Sequence, residues 1–280
     1  MREMAIHARR MVTRSRAPLV GTRSVAQHWW RLEPNIGDVM SPLVVQCALS
    51  VQPVWVPGRF GGKLLGTGSV LEALAASDLV VGAGLIADHE IDVPDSARVL
   101  SVRGPLSRRN LRNSAIPERY GDPGLLVAEL FGLQSSPSRD RPVGVVPHWT
   151  DTETLHTASR IVNVRALNVA LPWPDFFAEL SACSSVLSSS LHGIVFAESL
   201  GIPAAWLRPG VALGGRGFKF EDYYLGTDRK PPAPLSLEAG LEWASGNPEP
   251  AQIDLTPVKE AHTAARELLE SGMLRQSPNT

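Results

Sequence analysis

The chain has 280 residues, 44% of them hydrophobic and 20% charged, with a formal net charge of -1. That length supports a sizeable core in one or two domains, and the near-neutral balance excludes the basic excess of a nucleic-acid binder. Cys47 and Cys183 are the only thiols, too few for a zinc site or a disulfide framework and in keeping with a reducing cytoplasm; no apolar run reaches the roughly 18 residues of a membrane span.

Residues 1–28 carry Arg2, Arg9, Arg10, Arg14, Arg16 and Arg23 against a single acid, Glu3. This composition reads as a frayed extension, with an organelle-targeting segment or an arm resting on anionic lipid as the alternatives it leaves open. From Asn35 onward, short apolar runs alternate with helical segments, the mark of βαβ units. Asn35-Ile36-Gly37-Asp38 is a turn followed by a helix to about residue 49, with Asp38 as its N-cap and Pro42 in its first turn. Strands are expected near 54–56 and 63–66, a helix over 70–76, and strands over 79–81 and 98–102. Arg103-Gly104-Pro105 leads into a basic helix over 107–113, and Gly121-Asp122-Pro123-Gly124 is a turn before a short helix over 125–131.

The polar, proline-bounded stretch 134–142 is the best linker. After it the alternation restarts, with strands over 143–146, 161–164, 185–188 and 204–207 and helices over 152–159, 175–182 and from Leu191 to Gly201. The expectation is an α/β protein with two Rossmann-like domains facing a cleft, 29–135 and 136–230, followed by a proline-rich connection and C-terminal helices over 231–280. Ligands of such sheets bind beyond the C-terminal strand ends.

Several residues follow predicted strands and carry chemistry. In Ser188-Ser189-Ser190-Leu191-His192-Gly193 a buried strand breaks into a helix start. Unpaired amides and the positive dipole end suit a phosphate or carboxylate there, with His192 holding an exchangeable proton. Arg103, at the end of another strand, has a guanidinium suited to bidentate capture of an anion or to an internal ion pair with an acid such as Asp122. Lys219 sits between Phe218 and Phe220, either as a second cation or as a solvated side chain covering apolar surface. His148 follows a third strand, and Trp29, Trp30 and Trp149 are either core residues or faces for a sugar ring. Gly82-Ala83-Gly84-Leu85-Ile86-Ala87 matches a dinucleotide fingerprint, but the acidic segment 88–95 that follows cannot supply the required helix. No metal-ligand cluster and no glycosidase-type pair of acids stands out.

The motifs Asn35-Ile36-Gly37-Asp38, Thr67-Gly68-Ser69, Val102-Arg103-Gly104-Pro105, Gly121-Asp122-Pro123-Gly124, Val146-Pro147-His148, Ser190-Leu191-His192-Gly193 and Phe218-Lys219-Phe220-Glu221-Asp222 occur in one order. This ordered set, over about residues 29–227, resembles the polysaccharide pyruvyl transferase family. The resemblance implies a two-domain GT-B-like fold, phosphoenolpyruvate as donor, and a sugar diol that becomes a cyclic pyruvate ketal in an exopolysaccharide or cell-surface glycan. Phosphoenolpyruvate is then a co-substrate, and no cofactor or metal is implied.

On this basis Arg103, Ser189, Ser190, His192, Gly193 and Lys219 form the donor site, with His192 as general acid and Arg103 its catalytic companion. Asn35, Asp38 and His148 lie on the acceptor or cleft side. Relatives often work on lipid-linked oligosaccharides, which implies a cytoplasmic enzyme at the inner face of the plasma membrane and a peripheral membrane contact. A nucleotide-sugar glycosyltransferase on the same two-domain fold and a glycan-binding subunit without turnover are the competing functions.

Overall fold

The computed structural model of the protein describes residues 23–112, 115–135, 138 and 140–272. Its elements run β1 (Ser24–His28), α1 (Ile36–Leu49), β2 (Gln52–Trp55), β3 (Leu64–Leu65), β4 (Leu79–Val81), β5 (Ile91–Asp92), β6 (Arg98–Ser101), α2 (Pro105–Arg109), β7 (Leu111–Arg112), α3 (Val127–Phe131) and β8 (Val143–Val146). They continue with α4 (Thr152–Ala158), β9 (Val164–Ala166), α5 (Trp173–Leu180), β10 (Val186–Ser188), α6 (Leu191–Ser199), β11 (Ala204–Trp206), α7 (Phe218–Gly226), α8 (Leu237–Ser245) and α9 (Thr256–Glu270).

Two parallel sheets organise these elements. The first has the order β2-β1-β3-β4-β6 and the second β11-β10-β8-β9, with β5 and β7 forming a small parallel pair beside them. The inner strands β4 and β10 are buried on both faces, as parallel strands between helices must be. Along β4, Leu79 and Val81 point into one cluster with Val25, Val45, Ala48 and Leu64, while Val80 points into the opposite one with Leu65, Val102 and Phe218. The second sheet repeats this alternation, Val186 and Val146 on one side, Leu187 and Val145 on the other.

Helix α1 belongs to both halves. Val45, Ala48 and Leu49 pack on the first sheet, whereas Ile36, Met40 and Val44 join the cluster holding Phe177, Ile194, Val195 and Phe196 of the second. The C-terminal helix α9 returns to the first sheet, where Ala261, Ala265 and Leu269 are buried with Val25, Leu64 and Leu79. Helix α8 instead lies on the second sheet through Leu237 and Leu241. The described part of the C-terminal segment, 231–272, is therefore divided between the two sheets.

Five expectations need correction. The basic helix expected over 107–113 is the shorter α2, after which Leu111–Arg112 turns into β7 beside β5. Ser24–His28, placed in the N-terminal arm by composition, is β1 and lies between β2 and β3; the rest of the arm up to residue 22 lies outside the described residues. The inward position of β1 that hydropathy assigns to water is Gln27, which is fully buried and donates through Nε2 to Ser41 Oγ at 3.2 Å. The helix expected over 70–76 is only a 3-10 turn at Leu71–Ala73, because the chain then wraps around Asp78. That carboxylate accepts from the backbone N–H groups of Lys63 and Ala75 and pairs with the buried Lys63 ammonium. Helix α1 is capped by Asn35, whose Oδ1 accepts from Gly37 N–H at 3.1 Å, leaving Asp38 free in the first turn. Strand β9 begins at Val164, since Ile161 N–H closes back on Ala158 and Asn163 takes a left-handed turn at φ 61.

Candidate functional site

The segments that leave the C-terminal ends of both sheets meet around one group of polar side chains. Beyond β10, Ser190 has extended backbone at the N-cap of α6 and its side chain makes no capping hydrogen bond, so the first-turn amides have no hydroxyl to satisfy them. Two neighbouring hydroxyls are turned inward. Ser188 Oγ lies 2.8 Å from Val146 O and 2.7 Å from Ser190 O, and Ser189 Oγ accepts from His148 N–H at 2.9 Å. Gly193 lets α6 close onto its strand, as a β-carbon there would overlap Ser188 Oγ.

His192 follows in the first turn of α6, its ring stacked on Phe196 at 5.4 Å between centroids. The other face meets the start of α1, where a β-carbon on Gly37 would overlap His192 Nδ1. The side chain is 12% exposed, and Nε2 points inward to Asp122 Oδ2 at 3.7 Å. Burial, then the charges of Lys219 and Arg103, push the imidazole down to about 3, so it is neutral near pH 7.

Lys219, in the first turn of α7, ties the group together. It bears electrostatically on Asp38 of α1, His192 of α6 and His148 in the loop after β8. Burial and Arg103 lower its own ammonium to about 8, against the pull of Asp38. Burial lifts Asp38 to about 7, with Lys219 opposing and Glu33 adding to the rise. His148 is pushed down to about 4, by burial first and Lys219 second, and its Nδ1 lies 2.8 Å from Thr150 Oγ1. The two halves are also stitched here by Ile36 N–H, which donates to Val169 O at 2.8 Å.

Arg103 lies beneath this group and is fully buried. Its internal partner is Asp222 on α7; the sequence had suggested Asp122. Arg103 Nε and Nη2 stand 3.1 and 3.0 Å from Asp222 Oδ2, while Nη1 donates to Ser69 Oγ at 2.8 Å and Nη2 to Leu85 O at 2.5 Å. Ser107 completes the network by donating to Asp222 from its amide and hydroxyl at 2.9 and 2.6 Å. Asp222 follows Lys219 by three residues, one helical turn, so α7 anchors itself through one residue and aims a cation with the other.

The structure thus gathers Asn35, Asp38, His148, His192 and Lys219, with Arg103, Ser189 and Gly193 in supporting positions below them. Two features were not visible in sequence. Asp222 stood inside a quoted motif, but nothing marked it as the partner of a residue 119 positions earlier. Glu198, buried on α6, accepts from Tyr223 Oη and from Arg229 at 2.7 and 2.9 Å, clamping the helix of His192 to that of Lys219. A glutamate inside an apolar helical run was the available signal, because such a charge must find a partner.

Fold and site together define an α/β protein that collects cations, histidines and uncapped amides beyond the ends of parallel strands. The family model for polysaccharide pyruvyl transferase matches residues 93–210, from just after β5 to just past β11. The chain is also 34% identical over 209 residues to an uncharacterized protein of Acanthamoeba polyphaga mimivirus, an alignment covering 70% of this chain and 72% of that one. The chain belongs to the polysaccharide pyruvyl transferase family. Its class is therefore a transferase of pyruvyl groups to polysaccharide. Among the described residues no helix is long and apolar enough to cross a membrane.

Proposed function

We propose that the protein transfers the enolpyruvyl carbons of phosphoenolpyruvate to two hydroxyls of a sugar, forming a cyclic pyruvate ketal and releasing phosphate. The observation that carries this reading is the position of His192 at an uncapped helix start, under the combined positive field of Lys219 and Arg103. A donor bearing both phosphate and carboxylate needs several cations and amide donors close together. In this scheme Lys219 and the first-turn amides of α6 hold the anionic groups, with Gly193 letting that helix start close onto its strand. Ser190 stands at the N-cap of that helix, and Arg103 with Ser189 sets the floor.

The chemistry balances with one acid and no redox step. His192 gives a proton to the methylene carbon, forming a C–H bond and leaving C2 electron-poor. One sugar oxygen bonds to C2 and loses its proton, and the C2–O bond to phosphate breaks. The second hydroxyl then closes the ring and loses its own proton. Asp38, lifted to about 7 by burial, is suited to receive a hydroxyl proton near neutrality. Asn35 and His148 sit on the acceptor side. Trp149, 43% exposed next to His148, offers an aromatic face to a pyranose.

Two Rossmann-like halves in a GT-B-like arrangement suit this scheme, since α1 touches both sheets and α9 crosses back from the second to the first. A glycan built in the cytoplasm on a lipid carrier is the acceptor class we propose, with phosphoenolpyruvate as co-substrate and no bound cofactor. A nucleotide-sugar enzyme would want an acid for the ribose. Glu221, the convenient candidate, is exposed on α7, and the family does not favour that reading. Thermal-shift titration of the full chain separates them: phosphoenolpyruvate should raise the melting temperature and UDP- or GDP-sugars should not. The reverse pattern refutes the proposal.

A further inference from the structure

Two buried polar atoms in the described residues face one another without any hydrogen-bond partner. Asp122 Oδ2 and His192 Nε2 are both unpartnered, and they lie 3.7 Å apart. Closing that gap by about 0.7 Å makes an ordinary hydrogen bond. A buried pair left unmade is costly to both groups.

The carboxylate is held so that it can serve only this direction. Asp122 caps the turn Pro123–Leu126, and its Oδ1 accepts from Gly124 N–H at 2.8 Å, which leaves Oδ2 aimed at the imidazole. The ring is held as firmly, between Phe196 and the start of α1. Its Nδ1 faces that helix start and sits in the space that Gly37, lacking a β-carbon, gives up to it.

We propose that Asp122 is the positioning residue for His192: it accepts the Nε2–H of the imidazole, fixes the tautomer, and leaves Nδ1 as the nitrogen that takes up and delivers a proton. A histidine's reactive nitrogen is chosen by the bond its other nitrogen makes. The negative charge of Asp122 then supports the imidazolium once Nδ1 is protonated. This deepens the role given to His192 above and rests on that reading only for the identity of the proton acceptor.

The charged and titratable neighbours are few. Lys219 from α7 and Arg103 beyond β6 oppose a charged His192, and Asp38 lies across the group on α1, pulling on Lys219. Asp122 itself feels Arg103 and Asp222, and it raises Tyr223 on α7. Burial lifts the Asp122 carboxyl to about 6, so at pH 7 to 8 it is ionised opposite a neutral ring.

The test is a two-bond proton–nitrogen correlation spectrum of the full chain labelled in its seven histidines, with His192→Gln assigning the signal. Wild type without ligand should show the Nε2–H tautomer. In Asp122→Asn, which keeps the volume and the oxygen that caps Gly124, that tautomer preference should be lost. The His192 pKa in the presence of phosphoenolpyruvate should fall by about 1–3 units. Where turnover is measured, kcat should drop about 100-fold with KM for the donor nearly unchanged. An Nδ1–H tautomer in wild type, or an unchanged tautomer in Asp122→Asn, overturns the proposal. Should the variant fail to fold, the wild-type tautomer alone decides. A wild-type protein inert toward phosphoenolpyruvate would count against the function proposed above and leave the tautomer result standing.

Discussion

Gly37 and His192 occupy each other's space: the histidine ring fills the volume that a side chain at position 37 would need. The two residues come from different halves of the chain, and their contact brings the start of α1 against the start of α6. The backbone of Gly37 is ordinary helix, so the glycine is required by close approach and not by its dihedral angles.

Gly37→Ala should therefore act on the site more than on the fold. The added methyl must displace the imidazole or tilt α1, a misfit of about 1–3 kcal/mol. The melting temperature should fall by only a few degrees while turnover falls at least tenfold, because the proton donor is moved. Differential scanning calorimetry beside a turnover assay checks this. Unchanged turnover with a lowered melting point would place His192 outside the chemistry.

Lys219→Met removes the charge shared by the group, and the direction of each response is fixed. Lys219 lowers Asp38, His148 and His192, so all three should titrate higher in the variant. Histidine resonances followed across pH 3 to 8 report two of them. Donor binding should weaken about 100-fold, the order expected for a hydrogen bond to a charged group (about 1.5–3 kcal/mol). If both histidines stay where they are, Lys219 does not face the group.

Asp38→Asn should reshape the pH dependence of stability. The carboxyl titrates at about 7 in the folded chain against 3.8 as a free side chain. Its raised value means the folded state holds the proton more tightly. Stability is thus fully present below about pH 4 and lost as the pH climbs through 7. The variant should match wild type near pH 4 and exceed it near pH 8 by about 2 kcal/mol or less. Denaturant melts at the two pH values are the check, and a variant that loses stability at pH 8 would show Asp38 paired as an anion.

The Arg103–Asp222 pair should behave as a buried ion pair. Arg103→Met strands the carboxylate and should cost about 3–5 kcal/mol. Adding Asp222→Leu should recover most of that loss, with the double variant folded but inactive. A double variant no more stable than the single one would mean that the pair is not the main tie between β6 and α7.

Much of this fold could be read from the chain because its strands are short apolar runs buried on both faces. Leu79–Val81 and Val143–Val146 emerge with the expected bounds. Reading failed where a polar residue takes a core position, as Gln27 does in β1, or where a side chain commands the backbone, as Asp78 does after the 3-10 turn. At the site, His192 and Lys219 were visible as a histidine and a cation beside predicted strand ends or glycines. Their neighbours were not, since Asp122 meets His192 across 70 residues of sequence and Asp222 meets Arg103 across 119. Local patterns reveal helix starts and turns. They do not reveal which carboxylate faces which base.

His192 takes up a proton more readily, on this account, when an anion arrives. Burial and two cations push it down to about 3; a phosphate dianion beside it would raise that value by about 1–3 units. A His192 pKa that is the same with and without phosphoenolpyruvate would contradict the coupling.

The most direct measurement incubates the full chain with phosphoenolpyruvate and a panel of terminal hexosides, scored by mass for a pyruvate ketal and by assay for phosphate. The expected result is one phosphate released per ketal formed, with both signals lost in His192→Ala. No ketal on any acceptor from a folded protein that binds the donor, or product formation undiminished in His192→Ala, would contradict the central claim.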